Sequence, residues 1–177
     1  MSLRLASITD LPSLREVMRL ATDTLQHDFL TSAEIEASHA IMGLDRQLVE
    51  DGTYFVAERC GAIAGCGGWS RRATLYGGDH SSNLREPRLL DPAHEAARVR
   101  AMYTHPDHSR RGVGRRILDA SEAAAIHEGF NSAELMATLA GEPLYRAAGY
   151  RVIERTTAVV GAVRVPLVRM RKLLTRT

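Results

Sequence analysis

The chain has 177 residues, 45% of them hydrophobic and 25% charged, with a formal net charge of +2 at neutral pH. That balance suits a single globular domain over residues 1–177 built on one core. Only 5% of residues are aromatic, which leaves few stacking platforms and speaks against a nucleic-acid binder. There is no apolar run of the roughly 18 residues that a membrane span needs. The opening MSLRLASITD lacks the apolar core of a secretory signal, so a cytoplasmic location is expected. Cys60 and Cys66 match no common zinc spacing and read as two buried or half-buried free thiols.

Leu3 to Ser7 alternates as an opening strand. A helix follows from Thr9-Asp10-Leu11-Pro12, where a Thr or Asp can cap and Pro12 suits the first turn. Leu11, Leu14, Val17, Met18 and Ala21 share its apolar face. Ser32 can cap a short helix, and Leu44 with Leu48 suits another, broken from it at Gly43. Thr53 to Glu58 and Ala62 to Trp69 are strands around a Cys60-Gly61 turn. Gly65, Gly67 and Gly68 in the second mark a bulge or a close backbone approach.

Tyr76 to His94 reads as a loop. Arg98 to Thr104 is a strand, Gly112 to Glu128 a helix stopped at Gly129, and Ser132 to Thr138 a strand. Pro143 to Ala148 is a short helix ending at Gly149, and Tyr150 to Val160 and Val163 to Met170 are strands turned at Gly161-Ala162. The order predicts an α/β (α+β) domain. Its mostly antiparallel sheet has about seven strands flanked by about four helices, and one βαβ crossover runs from strand 98–104 through helix 112–128 to strand 132–138.

Charge is distributed unevenly. Residues 98–116 carry six arginines against Asp107, and residues 27–51 carry six acids against Arg46. The first cluster invites an anion and the second a cation. The arginines surround Gly112-Val113-Gly114, where a strand, a glycine loop and a helix N-terminus form a cradle for a pyrophosphate. A dinucleotide fingerprint fails here because Ile117 occupies its third glycine position, and no P-loop run exists. His105 and His108 have H-x-x-H spacing but flank Pro106, with only Asp107 as a neighbouring acid, so no metal site is expected.

Met102-Tyr103-Thr104-His105-Pro106 followed by Ser109-Arg110-Arg111-Gly112-Val113-Gly114 resembles the acyl-CoA loop of the GCN5-related N-acetyltransferase (GNAT) superfamily, a strand into [QR]-x-x-G-x-[GA]. Ser109 departs from the first position of that pattern. Pro143-Leu144-Tyr145-Arg146-Ala147-Ala148-Gly149-Tyr150 resembles the superfamily's later motif, x-x-[FL]-Y-x-x-x-G-[FY].

The resemblance implies transfer of an acetyl group from acetyl-CoA, as co-substrate, to an amine on a small molecule or a peptide. A non-catalytic acyl-CoA-binding sensor is the alternative. It further implies that Met102, Tyr103 and Thr104 pair with the cofactor through their backbone. Arg110, Arg111, Gly112, Val113, Gly114 and Arg115 would hold its phosphates, and Tyr145 would protonate the departing thiolate. Glu95, just before the strand that feeds the loop, is the candidate base, with a water relay as the alternative. Glu58 and Asp79-His80 are weaker choices. Trp69 and Tyr76 could wall an acceptor pocket or belong to the core. Because the segment before strand 53–58 commonly borders the acceptor in this superfamily, its acids predict a cationic acceptor. Val163 to Met170, with the basic tail Arg164, Arg169, Arg171, Lys172 and Arg176, reads as an edge strand. It could pair with a second copy as a homodimer or be protected by its charge.

Overall fold

The computed structural model describes residues 1–175. Seven strands form one sheet: β1 (Ser2–Leu5), β2 (Tyr54–Arg59), β3 (Ala62–Ser70), β4 (Ala97–Thr104), β5 (Ser132–Ala137), β6 (Arg151–Val160) and β7 (Val163–Leu173). Their spatial order is β1-β2-β3-β4-β5-β7-β6, and β4–β5 is the single parallel pair. Five helices accompany them: α1 (Leu11–Leu25), α2 (Ser32–Ser38), α3 (Arg46–Glu50), α4 (Val113–His127) and α5 (Glu142–Ala147). The expected α/β fold with its βαβ crossover, β4-α4-β5, is present.

Period-two alternation sorts the two faces. Tyr54, Val56, Cys66 and Tyr103 point toward α1, where they meet Leu14, Val17 and Met18. On the other face α4 lies across β2 to β4, with Val113 and Ile117 against Ala57 and Ala64. Fully burying a Leu or Ile in this way contributes about 1.5–3 kcal/mol, and Leu14, Ile117 and Leu118 are wholly buried. The strand glycines allow this approach: a Cβ on Gly65 would stand 2.6 Å from Val113 Cγ1, and one on Gly67 would overlap Met102 Sδ.

Local structure corrects several expectations. Thr31, not Ser32, caps α2. Its hydroxyl accepts from the Glu34 N–H while the Glu34 carboxylate accepts from the Thr31 N–H, a reciprocal capping box. Cys66 is buried, but Cys60 is exposed in the β2–β3 turn, where Cys60 and Gly61 both have positive φ (52° and 77°). That is the geometry of a primed hairpin turn. Trp69 is a core residue, edge-on to Phe130 at 5.8 Å.

The largest difference concerns β7. It is not an edge. It inserts between β5 and β6, so β6 is the edge opposite β1. Three of the basic residues of β7 are engaged within the sheet and α4, Arg169 with Glu134, Lys172 with Glu122, and Arg171 donating to Ser132 Oγ, while Arg164 is exposed. Arg176 lies outside the described residues.

Candidate active site

The site begins with a fault in the sheet. β4 and β5 pair only at Ala97↔Ala133 and Arg98↔Glu134, and beyond that point they part. The pairing that remains is clamped by Glu134, which binds Arg98 of β4 and Arg169 of β7. Past it, the β4 backbone toward Thr104 has no neighbour on its β5 side.

The parting coincides with a bulge. Cys66 faces Tyr103 and Gly68 faces Arg100, so Gly67 alone opposes Ala101 and Met102. Ala101 takes up the extra residue at φ 51°, a left-handed conformation costing about 1–3 kcal/mol for a residue with a side chain. The Tyr54 hydroxyl donates to the Ala101 carbonyl at 2.6 Å and holds the bulge from the α1 side. Tyr103 is anchored on the same side, its hydroxyl accepting from the Gly43 N–H at 2.8 Å. Its side chain is therefore committed to the core, and only its backbone is available to a ligand.

At the mouth of the parted strands stands the N-terminus of α4. Arg110 (φ 61°) and Gly112 (φ 78°) turn the chain in left-handed conformations, and Gly112 caps the helix. The first bond across the cap runs from the Arg116 N–H to the Gly112 carbonyl, leaving the N–H groups of Val113, Gly114 and Arg115 without a helical partner. With the helix dipole they form an anion site. The Val113 side chain is buried, so its contribution is the N–H alone. Arg110 and Arg111 are exposed beside the loop. Arg115 is partly engaged, by Asp119 at 2.8 Å and by the Ala147 carbonyl at 3.5 Å.

The second motif is brought to the first. A Cβ on Gly114 would sit 3.0 Å from Leu144 Cδ2, so α5 packs against the start of α4. Tyr145 follows on α5, 7% exposed, its ring edge-on to Tyr150 and lying under Gly141. Burial drives its phenol well above the ordinary range, and no hydrogen bond within the protein offsets this. The hydroxyl is therefore a neutral donor at every working pH.

Tyr145 opens onto a small, partly open cleft between the parted strands. Met102, Met136 and Leu167 wall it, Tyr76 and Thr138 add hydroxyls, and Arg100 is the one charged side chain on its lining. Tyr76, placed by sequence in a loop, thus reaches the cleft. Arg100, Thr138 and Gly141 are members that sequence reasoning did not single out for the site.

Glu95 is not brought to the cleft. It precedes β4 at the end remote from Met102, more than about 15 Å away at 3.3 Å per residue. Its carboxylate accepts from Arg88 (2.9 and 3.0 Å) and from the Asp91 N–H, and the Arg88 guanidinium holds it down to about 2. Glu58 pairs with Arg4 on the β1 edge. The Asp79 carboxylate accepts from the Arg46 N–H, and the His80 ring bonds the His39 carbonyl. The tilted rings of His105 and His108 lie 5.8 Å apart in the turn before the loop, and no metal-binding cluster occurs among the described residues. No helix of the described residues is long and apolar enough to cross a membrane.

None of the acids of residues 27–51 lines the cleft, and three of them have structural partners. Asp45 is buried between Arg85 and Arg100, Asp51 pairs with Arg72, and Glu34 closes the α2 cap. Asp28, Glu36 and Glu50 are exposed.

Comparison with known proteins agrees with this geometry. The acetyltransferase (GNAT) domain family matches residues 50–152, which span β2 through the start of β6. No curated protein matches the chain. Among solved structures, a GCN5-related N-acetyltransferase from Rhodopseudomonas palustris has a TM-score of 0.72 at 19% identity, covering 98% of this chain and 95% of that one. The PaiA N-acetyltransferase of Thermoplasma acidophilum in complex with coenzyme A has a TM-score of 0.65 at 15% identity, covering 97% and 98%. YncA of Salmonella typhimurium, a putative acetyltransferase with acetyl-CoA, has a TM-score of 0.63 at 19% identity, covering 100% and 95%. With both motifs joined at one cleft and the family matched over more than half its length, this chain belongs to the GCN5-related N-acetyltransferase family.

Proposed function

We propose that this protein transfers the acetyl group of acetyl-CoA to an amine by direct attack. The observation that carries the reading is the cleft where β4 leaves β5, with the open N–H groups of α4 at its mouth and the unpartnered Tyr145 hydroxyl on its wall.

Bound there, the thioester supplies an acetyl carbon activated by a thiol leaving group. The N–H groups of Val113, Gly114 and Arg115, with Arg110, Arg111 and Arg115 beside them, hold the pyrophosphate. The unpaired backbone of Met102 to Thr104 takes the arm of the cofactor as an added strand would and offers an N–H to the thioester oxygen, where negative charge develops. The amine nitrogen forms the C–N bond as the C–S bond breaks. The thiolate takes a proton from the Tyr145 hydroxyl, and the proton leaving nitrogen returns through water to Tyr145. No carboxylate or imidazole lines the cleft, so a water relay replaces a side-chain base.

The test is release of free coenzyme A thiol that requires protein, acetyl-CoA and amine together, across a panel of amines. Binding of acetyl-CoA with no amine-dependent release would instead identify an acyl-CoA sensor.

Two expectations follow from the proton path. Glu95→Gln keeps kcat/KM within about twofold of the parent, whereas a general base would contribute at least about a hundredfold. A loss of that size in steady-state assays would restore Glu95 as the base. The pH profile has one limb. The amine must be neutral to attack, so kcat/KM rises with pH until the acceptor is deprotonated. Tyr145, raised by burial, stays protonated and adds no descending limb below about pH 10. A bell-shaped profile centred near neutrality would contradict the assignment.

A further inference from the structure

The buried charge around the cleft points to the acceptor. Arg100 leaves β4 beside the Ala101 bulge, 3% exposed, and is the charged residue on the cleft lining. Its guanidinium makes three hydrogen bonds: one Nη1–H to the Thr74 carbonyl at 3.1 Å, and Nη2–H groups to Asp45 Oδ2 and the Gly77 carbonyl, each at 2.9 Å. An arginine has five N–H donors, so Nε–H and one Nη1–H remain. Asp45, also 3% exposed, is shared, its other oxygen accepting from Arg85 Nη2 at 2.7 Å and from the Gln47 N–H. Arg85 Nη1 is buried with no partner.

Two guanidinium groups thus divide one carboxylate, and the cluster carries one unbalanced positive charge with unused donors. Arg85 keeps 30% of its side chain in solvent, whereas that of Arg100 is 2% exposed, so it is the unused donors of Arg100 that are costly unless something answers them. Nothing on the cleft lining does so, since it holds no Asp or Glu, and its remaining wall is largely Met, Leu, Ile and Val.

Building on the acetyl-transfer reading, we propose that the acceptor is an amine that also carries a carboxylate, on an apolar body, as an aliphatic or aromatic α-amino acid does. Its carboxylate completes the Arg85–Asp45–Arg100 cluster from the cleft side, its apolar part lies against the methionines, and its amine is left toward Tyr145. This reverses the sign expected from the acidic run at residues 27–51. Those acids do not face the acceptor, and the one nearest the cleft is outnumbered by its arginine partners.

The experiment uses the full chain saturated with coenzyme A or acetyl-CoA. L-leucine, L-methionine and L-phenylalanine are each compared with the amine made by removing the carboxylate, by calorimetric binding and by thiol release. A site built to hydrogen-bond a group rejects the analogue lacking it, so the amino acids should be favoured by about a hundredfold or more in kcat/KM. In Arg100→Gln, checked for folding by its melting curve, that preference should shrink to within about tenfold. Parity between acid and amine, preference for the amine, or binding of none of the three acids overturns the proposal, and the comparison stands on the unmodified protein even if the variant does not fold. Failure of acetyl transfer itself is distinct: acetyl-CoA would be neither bound nor consumed with any amine.

Discussion

Replacing Tyr145 by phenylalanine lowers kcat by about a hundredfold or more and leaves the affinity for coenzyme A nearly unchanged. The ring itself is structural. It is 7% exposed, packs edge-on against Tyr150 and lies beneath Gly141, and phenylalanine preserves all of this. What is lost is one hydroxyl with no partner in the protein, held neutral by burial and open to the cleft. A hydroxyl in that state is useful to a leaving thiolate and to little else, so the variant separates catalysis from packing. The melting temperature should stay close to the parent value, because no internal hydrogen bond is broken. Steady-state kinetics beside a coenzyme A titration make the measurement. Unchanged kcat would mean that the thiolate departs without help and that Tyr145 only fills space.

Gly114→Val should weaken coenzyme A binding by about a hundredfold, the loss expected when roughly two charge-assisted hydrogen bonds to phosphate are forfeited. A Cβ at this position already meets Leu144 Cδ2 at 3.0 Å, so a branched side chain must either push α5 away or turn toward the N–H groups of the cradle. Either movement spoils the approach of a pyrophosphate. Gly112→Ala provides the contrast. Its Cβ meets nothing within 4 Å, and the cost is that of a left-handed alanine at φ 78°, about 1 kcal/mol of stability with little effect on affinity. Calorimetric titration of both variants distinguishes them. Equal affinities would place the phosphates elsewhere.

What could be read in the sequence was what depends on neighbours along the chain. The glycine loop, α4, the strands around it and the short helix bearing Tyr145 all carry local signatures: glycine at positive φ, proline in a first turn, apolar residues at helical spacing. The order of the two motifs was legible as well, but the meeting of Gly114 with Leu144 is a matter of packing that only the structure shows.

The insertion of β7 between β5 and β6 left no such mark. A hairpin is read from its turn, but which of its two strands joins the sheet is decided by long-range packing. The bulge was half visible. Gly65, Gly67 and Gly68 signalled close approach on β3, yet the residue that bends is Ala101 on β4, and alanine gives no hint of a positive φ. The two charge clusters were plain in composition, but their meaning lay in pairs separated by many residues, such as Asp45 with Arg100 and Arg85. Pairing turned an apparent cation site into a buried carboxylate shared by two arginines, one of them buried and one half-buried. Glu95 misled for the opposite reason. It is close to the glycine loop in sequence, and the length of β4 separates the two in space.

The most direct test of acetyl transfer at this cleft is to supply acetyl-CoA labelled in its acetyl group, together with an amine acceptor, and to follow the label by mass spectrometry. Label is expected in the N-acetylated amine, with one free coenzyme A thiol for each amide formed and loss of both in Tyr145→Phe. Label that remains in acetyl-CoA while the cofactor stays bound, or that appears only as free acetate, would contradict it.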